Sequence, residues 1–309
     1  DLPSKAMKKK IGIFCSVALF LFLGWYFGIK ASDYTITFTA KAASGTVFQG
    51  IQEWSTIQRQ KRKEHFTVVE KNNFDFLKQQ MTVGDTTYTY VWEITPLNDS
   101  VSKVSVGINE IGKSWYNKIT APFWPTKFKT EQIRKVKDLR EGLNEHLKNL
   151  KVRIDGEGTS KPVYVAYIQL KSVLQEKAQT MIGNDAAITG FLYTHKIKIV
   201  DRPYVEIVDW DLDKETIVFN YCFPIDPSTK AIADANVKFK TIPSLKGIKA
   251  TYYGNFRTSD RAWFALMDYA KKNDLKIKNI ALEHFLANPF NGGNELEWET
   301  QIIMPYASE

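Results

Sequence analysis

Nineteen consecutive residues from Ile11 to Ile29, IGIFCSVALFLFLGWYFGI, carry no charge, and three lysines, Lys8 to Lys10, stand directly before them. A helix of that length is just long enough to cross the hydrocarbon core of a bilayer, and Trp25 and Tyr26 fall where interfacial aromatic residues belong. The run therefore divides the chain into a short N-terminal stub with a membrane anchor (residues 1–32) and a large remainder that must fold on one side of the membrane. The lysines favour a cytoplasmic N-terminus, so everything after Lys30 is expected outside the cytoplasm. In a bacterium this means a single-pass inner-membrane protein with periplasmic globular domains. The alternative is a cleaved signal peptide and a secreted product, although Ile29-Lys30-Ala31 is a poor version of the small-x-small cleavage pattern. Cys15 lacks the setting of a lipoprotein cysteine.

With 309 residues the chain exceeds one ordinary core, so two domains are expected beyond the anchor. Hydrophobic residues at 44% and charged residues at 25% are globular values. The net charge of +8 comes partly from clusters at Lys8 to Lys10, Arg59 to Lys63 and Lys127 to Lys137. No helix-turn-helix, zinc-finger spacing or RNA-binding signature accompanies them, so no nucleic-acid partner is expected. Two cysteines, Cys15 and Cys222, and four scattered histidines, His65, His146, His195 and His284, give neither a disulfide nor a metal-ligand pattern. No cofactor is expected.

After the anchor, Tyr34 to Ala40 alternates as a strand and Gly45 to Trp54 reads as a short helix, followed by a polar, basic loop. Strand-like runs come next, Phe66–Glu70, Phe74–Val83, Thr86–Thr95 and Val101–Ile111, with turn residues between them. Tyr88, Tyr90, Trp92 and Ile94 share one strand face. Ile133, Val136, Leu139, Leu143, Leu147 and Leu150 then recur at three- and four-residue intervals in a long helix, Lys127 to Lys151. In element order, residues 33–154 resemble the SRPBCC superfamily (polyketide cyclase, START and related carriers), whose helix-grip fold wraps an antiparallel sheet around a helix and an apolar cavity. The resemblance implies that this domain could hold a second ligand, while the aromatic strand face suits a filled core equally well.

Residues 155–162, Asp-Gly-Glu-Gly-Thr-Ser-Lys-Pro, read as an interdomain linker. The second domain, residues 163–309, opens with strand Val163–Leu170, a helical region Ser172–Tyr193 broken near Gly183-Asn184, and strands Pro203–Trp210 and Thr216–Pro224. The order strand, helix, strand, strand then returns from Ile248 to Tyr306, and both copies end alike, Cys222-Phe-Pro-Ile and Ile303-Met-Pro-Tyr. In the second copy Ser259 is placed as the N-cap of a helix carrying Trp263, Leu266, Met267 and Ala270 inward. In the next strand the alternation assigns Ile280, Leu282 and Leu286 to the helix side, leaving Glu283 and Phe285 on the opposite face. A carboxylate among Tyr253, Phe256, Phe285 and Trp298 suits a cleft for an aromatic or cationic organic molecule. Glu295, Glu297 and Glu299 read as a solvated strand face.

Tyr253-Gly-Asn-Phe256, Trp263, Glu283-His-Phe285, Asn288-Pro289 and the closing Thr300 to Pro305 together resemble the GyrI-like, or AraC-type effector-binding, family. That resemblance implies a duplicated domain with a ligand cleft between its halves and a buried Glu, matched by Glu283, that meets cationic drugs. Phe285 stands where many members carry Tyr. First-half wall candidates are Tyr167, Tyr204, Trp210, Phe219 and Tyr221. The expected fold class is thus α+β: a transmembrane helix, a helix-grip domain with an antiparallel sheet, and a duplicated strand-helix-strand-strand domain. The expected role is binding of a small organic molecule, with Glu283, Tyr253, Phe256, Trp263, Phe285, Trp298, Tyr167, Trp210 and Tyr221 as contacts. Hydrolysis of a reactive small molecule with Glu283 as general base, and signalling to an unidentified membrane partner, are the alternatives.

Overall fold

A computed structural model describes residues 5–62, 64–72, 74–287 and 292–307; the Asn288-Pro289 pair lies outside them. The chain is α+β, with an apolar N-terminal helix and two antiparallel sheets. Helix α1 (Lys5–Gly24) passes into a π turn (Trp25–Ile29), and the stretch Lys10–Gly28 has a mean hydropathy of 2.0 with none of it buried.

The first sheet has five strands in the order β1-β5-β4-β3-β2: β1 (Tyr34–Ala40), β2 (His65–Asn72), β3 (Phe76–Val83), β4 (Thr86–Asn98) and β5 (Val101–Glu110). Helices α2 (Ser44–Arg62), α3 (Ser114–Thr120) and α4 (Lys127–Leu147) complete this part. The alternation in β4 puts Tyr88, Tyr90, Trp92 and Ile94 inward, all buried. These rings pack on one another and on Trp54, Phe66 and Phe128, so side chains occupy the interior on this face of the sheet. Helix α2 continues to Arg62 and replaces the expected basic loop, because Trp54, Ser55 and Gln58 are still on its buried side. On α4, Val136, Leu139 and Leu143 are buried, whereas Ile133 is exposed.

The expected linker is mostly strand. Leu150–Thr159 forms β6, pairing with β11 (Lys246–Gly254) at the edge of the second sheet. Its small and polar residues read as a loop, but Leu150, Val152 and Ile154 alternate with them and pack against the core. The second sheet has eight strands, β10-β7-β9-β8-β12-β13-β11-β6. Here β7 is Val163–Val173, β8 Tyr204–Asp211, β9 Thr216–Pro224, β10 Lys238–Ile242, β12 Leu282–Phe285 and β13 Glu299–Pro305. Helix α5 (Lys177–Thr194) runs without a break at Gly183, and α6 spans Asp260–Lys272. Both helices lie on one face of the sheet, and β8 meets β12 where the two half-sheets join. Ser259 is helical and makes no side-chain cap; Asn255 caps a 3-10 turn, Phe256–Thr258, that precedes α6.

The sheet face beneath the helices carries Ile207, Trp210, Phe219, Tyr221, Ile248, Tyr252, Glu283, Phe285 and Ile302. Leu282 belongs to a smaller cluster with Val165, Cys222, Ile242 and Ile303. The faces expected for β12 are therefore exchanged: Glu283 lies under the helices and Leu282 away from them. Glu295 and Glu297 belong to a 3-10 turn, and of the three acids only Glu299 stands on a strand, at the start of β13.

The two parts are joined by close contacts. A Cβ on Gly45 would stand 2.1 Å from Cδ1 of Phe264, so α2 approaches α6 only because glycine is there. Phe74 adopts a φ of 68° and places its buried ring 4.9 Å from Phe264 and 6.0 Å from Trp210. Glu215, in the β8–β9 turn at φ 54°, accepts from Gln49 (2.5 Å), Lys71 (2.9 Å), Gln52 (3.2 Å) and Gln175 (3.2 Å).

Candidate functional site

Glu283 is fully buried, and both of its oxygens are engaged. Lys177, the first residue of α5, donates to Oε2 at 2.8 Å and Oε1 at 3.0 Å, and Trp263 Nε1 donates to Oε1 at 2.8 Å. The same ammonium bonds Ser259 Oγ at 2.8 Å and lies 4.5 Å from the Trp263 ring centroid. A buried carboxylate must find a counter-charge, and here the chain supplies its own. Glu283 is therefore no lone acid on a cleft floor, and it presents no vacant oxygen for general-base work. A sequence reading could reach this pair only by placing Lys177 opposite Glu283, 106 residues away.

A cavity of about 440 Å³ opens between α5, the 3-10 turn before α6, and the central strands. Met181, Asp185 and Thr189 line it from α5; Tyr221 and Phe223 from β9; Phe256, Phe285 and Trp298 from the second repeat. Tyr221 and Phe223 meet edge to face at 4.9 Å, and Phe256 and Phe285 at 6.0 Å. Tyr221 donates to Asp185 Oδ1 at 2.7 Å, and burial together with the neighbouring Asp185 carboxylate pushes the phenol pKa well up, so it stays a donor. The lining includes three acids, Asp185, Asp201 and Glu299, and one guanidinium, Arg202.

Of the nine candidate contacts, Tyr221, Phe256, Phe285 and Trp298 surround this cavity, whereas Glu283, Trp263, Trp210, Tyr167 and Tyr253 do not line it. Trp263 and Trp210 pack on each other at 5.3 Å in the core. Tyr167 faces the other side of the sheet beneath Lys240, and Tyr253 pairs with Arg153 there. Of the two other wall candidates, Phe219 is core and Tyr204 stacks on His284 at 3.9 Å. Asp185 went unnoticed because a single acid on a helix of weak amphipathic pattern looks solvated.

A second cavity, also about 440 Å³, lies beside α6. Its walls come from α6 (Phe264, Met267, Asp268, Lys271), from Ile277 and Asn279 before β12, and from Leu212 after β8. Asp268 stands eight residues after the first residue of α6, as Asp185 does in α5, although the helices differ in length, 13 and 18 residues. In this second cavity the first domain intrudes. Ser44, at the N-terminus of α2, donates from its backbone N to Asp268 Oδ2 and from Oγ to Oδ1, both at 2.7 Å, and Phe74 supplies a ring. Burial raises the Asp268 pKa in spite of those bonds. Among the described residues no cluster of three or more His, Cys, Asp or Glu could hold a metal.

No protein-family model matches the chain, and no curated protein matches it. Among solved structures, the C-terminal domain of EcmrR is similar to 52% of this chain over 99% of its own, with 14% identity and a TM-score of 0.42. SAV2435, solved bound to tetraphenylphosphonium, covers 52% of this chain and 94% of its own, with 12% identity and a TM-score of 0.34. The di-domain ARO/CYC StfQ of steffimycin biosynthesis covers 89% and 85%, with 12% identity and a TM-score of 0.23.

Proposed function

We propose that this protein is a membrane-anchored receptor for a small aromatic or lipophilic cation, which it binds in the α5 cavity with Asp185 as counter-charge. The observation that carries this reading is the pair of related cavities. In the α6 copy, the chain itself provides an aromatic ring, Phe74, packed on Phe264, and a hydrogen-bond donor at the positive end of a helix, Ser44, which satisfies Asp268. In the α5 copy, Asp185 shares a cavity with Tyr221, Phe223, Phe256, Phe285 and Trp298. A guest that supplies a ring and a cationic or donor group would complete the α5 site as the first domain completes the other. Aromatic faces add cation–π attraction, and the acid excess of the lining adds selectivity for positive charge.

Residues 33–154 and 163–309 form the two extracytoplasmic domains in this reading, with β6 leading the chain into the second sheet. The Lys10–Gly28 stretch is the anchor. Binding is tested by titrating the full chain in detergent with tetraphenylphosphonium and following Trp298 fluorescence or heat. Saturable binding that weakens about tenfold or more in Asp185→Asn is expected, since a charge-assisted contact contributes about 1.5–3 kcal/mol. Equal affinity of the two proteins would remove Asp185 from the site.

A further inference from the structure

A patch unconnected with either cavity stands beside the end of the apolar helix. Trp115, Tyr116 and Ile119 on α3, with Phe123 and Trp124 in the following turn, are exposed, Phe123 to 76% and Trp115 to 67%. Isolated apolar residues on a surface need no explanation, but five in a ten-residue stretch make a contiguous patch. From Ser114 to Thr130 the chain holds no acidic residue, while Lys118, Lys127 and Lys129 are present.

The patch is fixed at the level where the helix ends. Phe27 stacks on Trp115 with centroids 4.7 Å apart and planes 4° from parallel. Tyr26 donates to the Lys118 carbonyl at 2.8 Å, and Lys118 Nζ returns to the carbonyls of Lys30 at 2.6 Å and Phe27 at 3.3 Å. Three residues after Lys30, buried Asp33 accepts from Ser114 Oγ and from Glu110 N, so the exit from the helix is tied to the first sheet.

We propose that Trp115 to Trp124 is a second membrane contact, seated in the headgroup region of the leaflet from which the apolar helix emerges; this rests on reading Lys10–Gly28 as a membrane span. Nineteen residues at 1.5 Å each rise about 28 Å, close to the hydrocarbon thickness, so Phe27 lies at the interface and Trp115, stacked on it, lies at the same depth. Tryptophan and tyrosine favour that depth, and the acid-free stretch with Lys127 and Lys129 near its end suits anionic phospholipid. The first domain would then rest on the bilayer instead of swinging on a free tether.

The test uses the full chain in phosphatidylcholine/phosphatidylglycerol nanodiscs with a bimane label at one of three sites. These are the native Cys15, Phe123→Cys, and Ser100→Cys, the latter two with Cys15→Ala. Ser100 is at the opposite end of β5, ten residues from Glu110 and so roughly 30 Å away. Lipid-borne quenchers near the headgroups should quench the Phe123 label several times more than the Ser100 label, and mid-chain quenchers should quench Cys15. Deep quenching of Cys15 with no excess at Phe123 would overturn the proposal and leave the span intact. Shielding of Phe123 that appears only when two proteins share a disc would overturn it in favour of a second copy. Absence of lipid quenching at Cys15 would remove the span itself, and the proposal with it.

Discussion

Replacing Glu283 by Gln removes the negative half of an ion pair whose side chains are 2% and 0% exposed. The ammonium of Lys177 keeps only Ser259 Oγ and the Trp263 ring, and a glutamine carbonyl gives it one neutral acceptor in place of two charged ones. Breaking a buried pair by removing one partner costs about 3–5 kcal/mol. At about 2 °C per kcal/mol for a chain of this size, Tm should fall by roughly 6–10 °C. Lys177→Met should cost a similar amount, because the carboxylate then keeps only the Trp263 donor. The double variant Lys177→Met/Glu283→Leu places apolar volume where the pair stood and should return to within about 1–2 kcal/mol of the parent, or exceed it. Guanidinium unfolding of the full chain in detergent, followed by circular dichroism and tryptophan emission, gives all four corners of the cycle once the single variant Glu283→Leu is measured beside Lys177→Met, the double and the parent. A coupling of about 3 kcal/mol or more is expected. Single variants within about 1 kcal/mol of the parent, with simple additivity in the double, would refute the assignment of Glu283 to the fold. The folded fraction of Glu283→Gln should bind the lipophilic cation as the parent does, in contrast with Asp185→Asn.

Gly45→Ala should destabilise by about 1–3 kcal/mol through collision with the Phe264 ring, and Phe264→Ala in the same chain should relieve the clash while losing its packing, so the two effects will not add. His146 is held neutral by burial and by the nearby Arg261, which lower its pKa. Below about pH 6.5 the unfolded chain binds a proton that the native histidine refuses, so stability should drop with pH there; His146→Gln should flatten that part of the profile. Glu215→Gln should cost about 1–3 kcal/mol by weakening the acceptor shared by Lys71, Gln49 and Gln175, read out as loss of a single unfolding transition.

Periodicity carried most of the architecture. The alternating aromatic residues of β4, the i, i+3, i+4 spacing on α4 and α6, and the repeated endings of β9 and β13 were all legible as elements. What failed were features decided by partners far along the chain. β6 looks like a loop until β11 lies beside it, because Gly156 and Gly158 carry no strand preference of their own. The faces of β12 were exchanged because a buried Glu violates the rule that apolar residues lie under a helix, and only Lys177 makes the violation tolerable. Four cavity residues, Tyr221, Phe256, Phe285 and Trp298, were named from the aromatic pattern, while Asp185 gave no sign in sequence that Tyr221 would turn toward it. Ser259 resembled a cap by residue type, yet its hydroxyl accepts from Lys177.

Each of the helices α5 and α6 borders a hollow, and the N-terminal part of the chain reaches only the one beside α6. Both keep about 440 Å³ of free space, but in one Ser44 already engages both oxygens of Asp268 and Phe74 forms part of the wall, whereas in the other Asp185 accepts from Tyr221. Phe74→Ala together with Ser44→Ala would remove the ring and the hydroxyl, freeing Oδ1 of Asp268 for a visitor while the backbone N–H of residue 44 keeps Oδ2. The stoichiometry of guest per chain would then rise from one toward two, a change visible in a single calorimetric titration.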